Sequence, residues 1–311
     1  MKTLATLLIL SCVPLAFAAG EKIAVIPKGT THSFWKSVEA GARKAGEELG
    51  VEIIWKGPLK EDDRAQQIAI VQQFVASGVS AIVLAPLDDT ALRTPVRSAG
   101  EHGIPVVIYD SALKGEPGRD FISYVATNNR RGGEIGGAEL ARLLGGRGKV
   151  VLLRYAEGSA STNEREVGFL DVIKRHSGIT VIVDNRYAGP TIGSAQDAAM
   201  NLVDKLREAD GIFCPNQSST SGMLLALRQT GLAGKKIFVG FDTSPFLLQA
   251  LEKGEILGLV AQNPTRMGYL GVATAVRHLR GEKIEVTIDT GCVLVTKDNQ
   301  NEPAVKAVLG N

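Results

Sequence analysis

Short apolar runs alternate with longer segments of helical spacing along most of the chain. Ile23–Ile26 is apolar and β-branched and predicts a buried strand. A polar turn follows. The spacing of Phe34, Val38, Ala42, Ala45 and Leu49 then predicts a helix from about Ser33, with Ser33 as N-cap and Gly50 closing it. Val51–Trp55 predicts a second strand, ended by Gly57-Pro58. Asp62 to Ala76 predicts a helix that turns Ala65, Ile68, Ala69, Val71 and Val75 inward. Further strands are expected at Ala81–Leu84, Val106–Tyr109 and Ile122–Val125. Asp89 to Ala99 reads as a helix in which Pro95 invites a kink.

The alternation then starts again. Helices are expected at Glu134–Leu144, Asn163–Arg175, Ser194–Arg207, Thr220–Gln229, Pro245–Lys253 and Arg266–Leu279. Strands are expected at Lys149–Leu153, Thr180–Val183, Gly211–Cys214, Ile237–Phe241 and Ile256–Val260. Val286–Ile288 and Cys292–Val295 read as extended, and Pro303–Val308 as a short helix. Continuous apolar strands separated by helices imply parallel sheets covered on both faces. Two successive series predict an α/β protein of two doubly wound parallel-sheet lobes. An eight-stranded barrel is the competing architecture. The number of strands and the break in alternation at Ile122–Val125 argue against it.

Composition narrows the function. The 311 residues are 44% hydrophobic and 22% charged, ordinary globular material with room for two domains. A net charge of +2 creates no strong field for nucleic acid or anionic lipid. At the N-terminus, Lys2, the apolar run from Leu4 to Phe17 and Ala16-Phe17-Ala18 have the order of a signal peptide. Export is expected, with residues 1–18 removed and cleavage after Ala18 or Ala19. Ile9-Leu10-Ser11-Cys12 loosely resembles a lipoprotein box, but the apolar run continues past Cys12, which favours ordinary cleavage. Cys214 and Cys292 read as small buried hydrophobes, with a disulfide open to them in an oxidising compartment. No Cys/His spacing suggests a metal, and no cofactor is expected.

The polar residues of interest follow the strands. Ligands of open α/β sheets bind in the crevice beyond the strands' carboxyl ends. Lys28 and His32, with Phe34 and Trp35, follow the first strand. Asp88 and Asp89 follow the third and Asp110 the fourth. Arg154, Tyr155 and, further on, Arg165 follow Lys149–Leu153. Asn216 and Gln217 follow Cys214, Asp242 follows Phe241, and Gln262 follows Val260. Side chains of these types donate to and accept from hydroxyls, and the rings offer flat apolar faces. Lys28 and Arg165 balance Asp110 and Asp242, which suits a neutral, hydroxyl-rich ligand. The balance fails if Glu164 or a charged His32 also faces the ligand. The plain readings compete: Asp89 as a helix N-cap, Trp35 as core, Lys28 as a solvated turn residue. His102, His176 and His278 receive no role. Gly132-Gly133 with Gly136-Gly137 lacks the phosphate-loop pattern and reads as close helix packing.

In this order, the exported Ile-Ala-Val-Ile-Pro-Lys start, Phe34-Trp35, Ile104-Pro-Val-Val-Ile-Tyr-Asp110, Glu164-Arg165 with Gly168-Phe169, Asn216, Val239-Gly-Phe-Asp242 and Ala261-Gln262 are similar to the periplasmic sugar-binding proteins of the ribose-binding type. The resemblance covers essentially all of residues 21–295. It implies a type I periplasmic binding fold, with lobe one from 21–127 and 263–289 and lobe two from 128–262 and 290–311. Three crossings near Thr127, Gln262 and Asp289 would join them. It implies closure on a sugar or polyol, delivery to an ABC transporter permease and a monomeric periplasmic protein. It places sugar-binding roles on Lys28, His32, Phe34, Trp35, Asp110, Arg165, Asn216, Asp242 and Gln262. Ribose binders carry a small hydroxyl residue where Lys28 stands, Asn where His32 and Ala85 stand, and Arg where Ser111 stands, so ribose itself does not follow. Lys28 after Ile-Pro and Gly57-Pro58 also resemble the receptor for a furanosyl autoinducer. A signalling or chemotactic receptor therefore stays open beside transport. Sugar-responsive repressors share the fold but carry a DNA-binding segment where this chain has its signal. An exported carbohydrate-active enzyme would need Asp110 and Asp242 as a carboxylate pair, and no nucleophile–base motif accompanies them.

Overall fold

The computed structural model describes residues 20–309, so the expected signal peptide and Cys12 lie outside the described residues. Two separate six-stranded sheets replace any barrel. The first is built from β1 (Lys22–Ile26), β2 (Glu52–Trp55), β3 (Ala81–Leu84), β4 (Val106–Tyr109), β5 (Ser123–Ala126) and β11 (Thr287–Asp289), in the order β11-β5-β4-β3-β1-β2. The second is built from β6 (Arg147–Arg154), β7 (Gly178–Tyr187), β8 (Gly211–Phe213), β9 (Ile237–Phe241), β10 (Gly258–Gln262) and β12 (Cys292–Val295), in the order β12-β10-β9-β8-β6-β7. The two orders are the same pattern repeated, so β4 corresponds to β9 and β5 to β10. All pairings are parallel except β12, which runs antiparallel to β10 at the sheet edge. That edge corrects the expectation of wholly parallel sheets.

Each sheet is covered on both faces by helices. On the first lie α1 (Ser33–Leu49), α2 (Arg64–Ser77), α3 (Arg93–Glu101) and α10 (Pro264–Leu279). On the second lie α4 (Asn129–Leu143), α5 (Ala160–Ile173), α6 (Ile192–Met200), α7 (Val203–Glu208), α8 (Gln217–Gln229) and α9 (Pro245–Glu252), with α11 (Pro303–Leu309) against the β10–β12 edge. Four apolar clusters, two per sheet, fill the layers. The helix after β5 packs on the second sheet and the helix after β10 packs on the first. There α4 meets α5, and α10 meets α1, at glycine. A Cβ on Gly133 of α4 would stand 1.9 Å from the Arg165 carbonyl oxygen of α5, and one on Gly41 of α1 would stand 1.9 Å from that of Thr265 in α10. The Gly132–Gly137 run is therefore helix packing, as read.

Several elements differ from expectation. His32, not Ser33, is the N-cap of α1, and it makes no side-chain cap bond. The Ser33 hydroxyl instead donates to Gln217 Oε1 at 3.1 Å. Helix α2 buries Gln67, Ile70, Val71 and Phe74 and leaves Ala65 and Ala69 exposed. The face turns because Gln67 is fully satisfied inside: its Nε2 donates to the carbonyls of Pro27 and Ala85, and its Oε1 accepts from Leu87 N. A buried amide with such partners is tolerated where an unpaired one is not. The segment after β3 begins as a turn held by Asp88 Oδ1, which accepts from Thr90 N and Ala91 N. Asp89 is thus not a cap, and Pro95 sits in the first turn of α3, where its missing N–H costs nothing. Helix α4 starts five residues before Glu134 because Asn128 Oδ1 caps it at Arg131 N. The helix expected over Ser194–Arg207 breaks at Leu202 (φ −105°, ψ 9°) into α6 and α7. Cys214 and Cys292 are free thiols, the first fully buried.

Candidate functional site

The carboxyl ends of both sheets face one another across a nearly closed crevice with a cavity volume of about 30 Å³. In this closed arrangement the side chains leave room for little more than a water molecule, so a larger ligand enters with the lobes apart. Lys28, His32, Phe34, Trp35, Asp110, Arg165, Asn216, Asp242 and Gln262 all line it. Lys28 through Asp110 stand on the β1–α1 loop, the start of α1 and the end of β4. Arg165 through Gln262 stand on α5, the start of α8 and the ends of β9 and β10.

Asp110 and Asp242 occupy equivalent places just past β4 and β9. They are the two non-glycine residues with positive φ among the described residues, at 61° and 66°. This left-handed conformation disfavours most side chains, and Asp tolerates it better than most. Each amide is held by the neighbouring strand: Asp110 N donates to the Val125 carbonyl and Asp242 N to that of Val260. The sharp turn aims each carboxylate across the end of its sheet. Asp242 Oδ2 accepts from Gln217 N at 2.9 Å and Oδ1 accepts from Gln262 Nε2 at 2.7 Å. That bond fixes the Gln262 amide and leaves its buried Oε1 without a protein partner.

Lys28 is buried, and its ammonium stands 3.6 Å from Asp110 Oδ2. It also donates across the crevice to Ser159 Oγ at 3.2 Å and Ser161 Oγ at 3.1 Å. The solvated-turn reading of Lys28 therefore fails. Burial lowers its pKa, with Asp110 and Glu61 opposing. Burial likewise raises the carboxyls of Asp110 and Asp242, against the pull of Lys28 and Arg165 on the first and of Arg165 and two hydrogen bonds on the second. Arg165 is positioned by its packing. Its Nε donates to Asn129 Oδ1, an Nη donates to the Pro215 carbonyl, and the guanidinium lies 4.0 Å from the Phe241 ring centre. Such stacking fixes the guanidinium plane. Asn216 is the N-cap of α8: its Oδ1 accepts from Ser219 N and Ser219 Oγ. It lines the crevice while serving that local role. Trp35 lies edge-on to both Phe34 and Tyr109, so it is core and crevice wall at once.

Sequence reasoning missed Glu61. It lies in the loop after β2, a strand whose following residues the sequence reading leaves out. Its buried carboxylate accepts from His32 Nδ1 at 2.7 Å, Trp35 Nε1 at 2.6 Å and the Tyr155 hydroxyl at 2.7 Å. Burial pushes its pKa up, but the hydrogen bond and charge of His32, the charge of Lys28 and the Trp35 bond outweigh that and hold it down at about 2. Tyr155, Ser161, Thr162 and Gln217 also line the crevice. Glu164 does not; it is exposed and faces Arg130. Among the described residues, no group of three or more His, Cys, Asp or Glu side chains is placed to hold a metal ion.

Residues 23–283 match the periplasmic binding protein domain family. The chain belongs to that family and has its type I fold of two α/β lobes. It is 30% identical over 302 residues to the ribose import binding protein of Escherichia coli strain K12, covering 96% of this chain and 99% of that one. A carbohydrate transporter solute-binding protein from Agrobacterium radiobacter, solved with D-arabinose, is 35% identical with a TM-score of 0.89, covering 94% of this chain and 99% of that one. An ABC transporter solute-binding protein from Agrobacterium vitis, solved with D-fucose, is 34% identical with a TM-score of 0.87, covering 92% and 98%. These are transport binding proteins and not enzymes. No helix among the described residues is long and apolar enough to cross a membrane.

Proposed function

We propose that the chain captures a neutral monosaccharide or polyol in this crevice and delivers it to an ABC transporter permease. The observation that carries the reading is Gln262 Oε1, a buried acceptor with no protein partner at the crevice wall. Its amide is locked by Asp242, so it can accept only from outside the protein. A ligand hydroxyl supplies the needed O–H. Lys28, His32, Phe34, Trp35, Asp110, Arg165, Asn216, Asp242 and Gln262 are the proposed ligand-binding residues, with Glu61 and Tyr155 added. Counting His32 as imidazolium, three cations face the three carboxylates of Glu61, Asp110 and Asp242, and a neutral ligand leaves that balance undisturbed.

The lobes in this reading are residues 21–127 with 263–289 and residues 128–262 with 290–311. The three crossings in this reading are near Thr127, Gln262 and Asp289; the first and third are tied together by Thr290 N donating to the Ala126 carbonyl and Asn128 N donating to Asp289 Oδ1. Residues 1–18 direct export to the periplasm, and the mature protein acts as a monomer. A thermal-shift screen of neutral pentoses, hexoses and polyols, followed by calorimetry, tests the ligand class. A neutral sugar should bind, and small-angle scattering should show compaction. Binding of sugar phosphates or uronic acids in preference to every neutral sugar would overturn the reading.

A further inference from the structure

Glu61 is more than a wall residue. One oxygen receives His32 Nδ1 and Trp35 Nε1, and the other receives the Tyr155 hydroxyl from the opposite lobe. A carboxylate is only an acceptor, so His32 Nδ1 must carry a proton in either charge state. The other ring nitrogen, Nε2, has no protein partner among the described residues, and His32 lines the crevice. What Nε2 offers a ligand then depends on one proton: neutral, it accepts; charged, it donates. The surrounding charges decide between these. Lys28 from the β1–α1 loop, Asp110 from the end of β4, Arg165 from α5 and Asp242 from the end of β9 share the cavity, with the neutral Tyr155 from the end of β6. With a neutral His32, two cations face three carboxylates in a buried space. With an imidazolium the count is three and three. Buried charge is tolerated when it is paired and hydrogen-bonded.

We propose that Glu61 is the positioning residue of the crevice, holding His32 as an imidazolium whose Nε2–H is presented to a ligand oxygen. The inference deepens the sugar-binding reading and, for the donor role, rests on it. The electrostatics agree with the geometry. Burial works against a charged His32, but the hydrogen bond and charge of Glu61, with the charge of Asp242, outweigh it and raise the pKa. With a raised folded value, the stabilisation is complete below the ordinary histidine range of about 6.5 and is lost as pH rises through the raised value. Ligand capture should weaken over that same window, because the donor becomes an acceptor.

The test is a nitrogen-15 NMR titration of the mature full-length protein, which separates His32 from His102, His176 and His278 and reports the tautomer. His32 should titrate above about 6.5 and keep its Nδ1 proton when neutral. Glu61→Gln should lower the midpoint by about 1–3 units, the usual effect of removing an adjacent opposite charge. A wild-type midpoint at or below the ordinary value, or a neutral ring protonated at Nε2, would overturn the assignment even if the variant does not fold. Calorimetry with D-arabinose, D-fucose and D-ribose across the same pH range tests the donor role. Affinity should fall by about tenfold or more as His32 loses its proton, with the fall moved to lower pH in Glu61→Gln. A flat profile overturns the donor role. Absence of binding by any neutral sugar overturns the sugar reading and the donor role with it, and the titration still decides the imidazolium.

Discussion

Replacing Asp242 with Asn separates the binding and stability consequences of one buried carboxylate. Asn keeps the shape and accepts the left-handed backbone at φ 66° as readily as Asp. Alanine there would add a conformational cost of about 1–2 kcal/mol and confuse the result. Gln217 N is a fixed donor 2.9 Å from Oδ2, so the Asn oxygen must stay there and its amide must face Gln262. Gln262 then turns its own amide to accept, and presents Nε2 where Oε1 had faced the crevice. A charged acceptor disappears and a neutral acceptor becomes a donor. Hydrogen bonds to charged groups contribute roughly 1.5–3 kcal/mol, so affinity should fall about ten- to a hundredfold. Stability should move the other way. Burial raises the Asp242 carboxyl in the folded protein despite Arg165. A raised acid favours the fold below its unfolded pKa, and that favour is lost as pH rises through the folded value. Asp242→Asn should therefore melt at or above the wild-type temperature near pH 7, with the advantage vanishing in acid. Calorimetry with the sugar found in the screen and melting curves at two pH values measure both. Wild-type affinity in a folded variant would remove Asp242 from the site. A lower melting temperature at neutral pH would refute the electrostatic reasoning.

Lys28→Ala should lose at least about tenfold in affinity, ~1.4 kcal/mol, since the ammonium braces Asp110 and bridges to Ser159 and Ser161; unchanged calorimetry would make it a spacer. Gly133→Ala should destabilise the protein by roughly 1–3 kcal/mol, as overpacking does, because the new Cβ meets the Arg165 carbonyl. It should also weaken binding by shifting Arg165, and a wild-type melting temperature would contradict the packing. Trp35→Ala should weaken sugar binding through the lost ring contact and the lost bond to Glu61, and calorimetry that matches the wild type would return Trp35 to the core alone.

Much of the fold is legible locally. Strands such as Ile237–Phe241 and Cys292–Val295 fall where their apolar runs lie, because continuous hydrophobic stretches have no solvent-facing alternative. Gly50 and Gly78 end helices in the left-handed conformation that glycine favours. The strand-end residues Lys28, Asp110, Asp242 and Gln262 could be listed from order alone, since a parallel sheet sends every carboxyl end to one side. Tertiary structure decided the rest. The face of α2 depends on backbone groups of Pro27, Ala85 and Leu87 that only folding brings to Gln67. The antiparallel direction of β12 is set by a chain crossing, not by the pattern of Cys292–Val295. How closely α4 meets α5 and α1 meets α10 rests on Gly133 and Gly41, whose partners only folding brings near. Glu61 looked like one more charged loop residue. It became the centre of the site because His32 at the N-cap of α1, Trp35 from α1 and Tyr155 from the other lobe converge on it. Hydrogen-bond partners and buried charge balance are properties of three-dimensional neighbours, and a linear pattern carries neither.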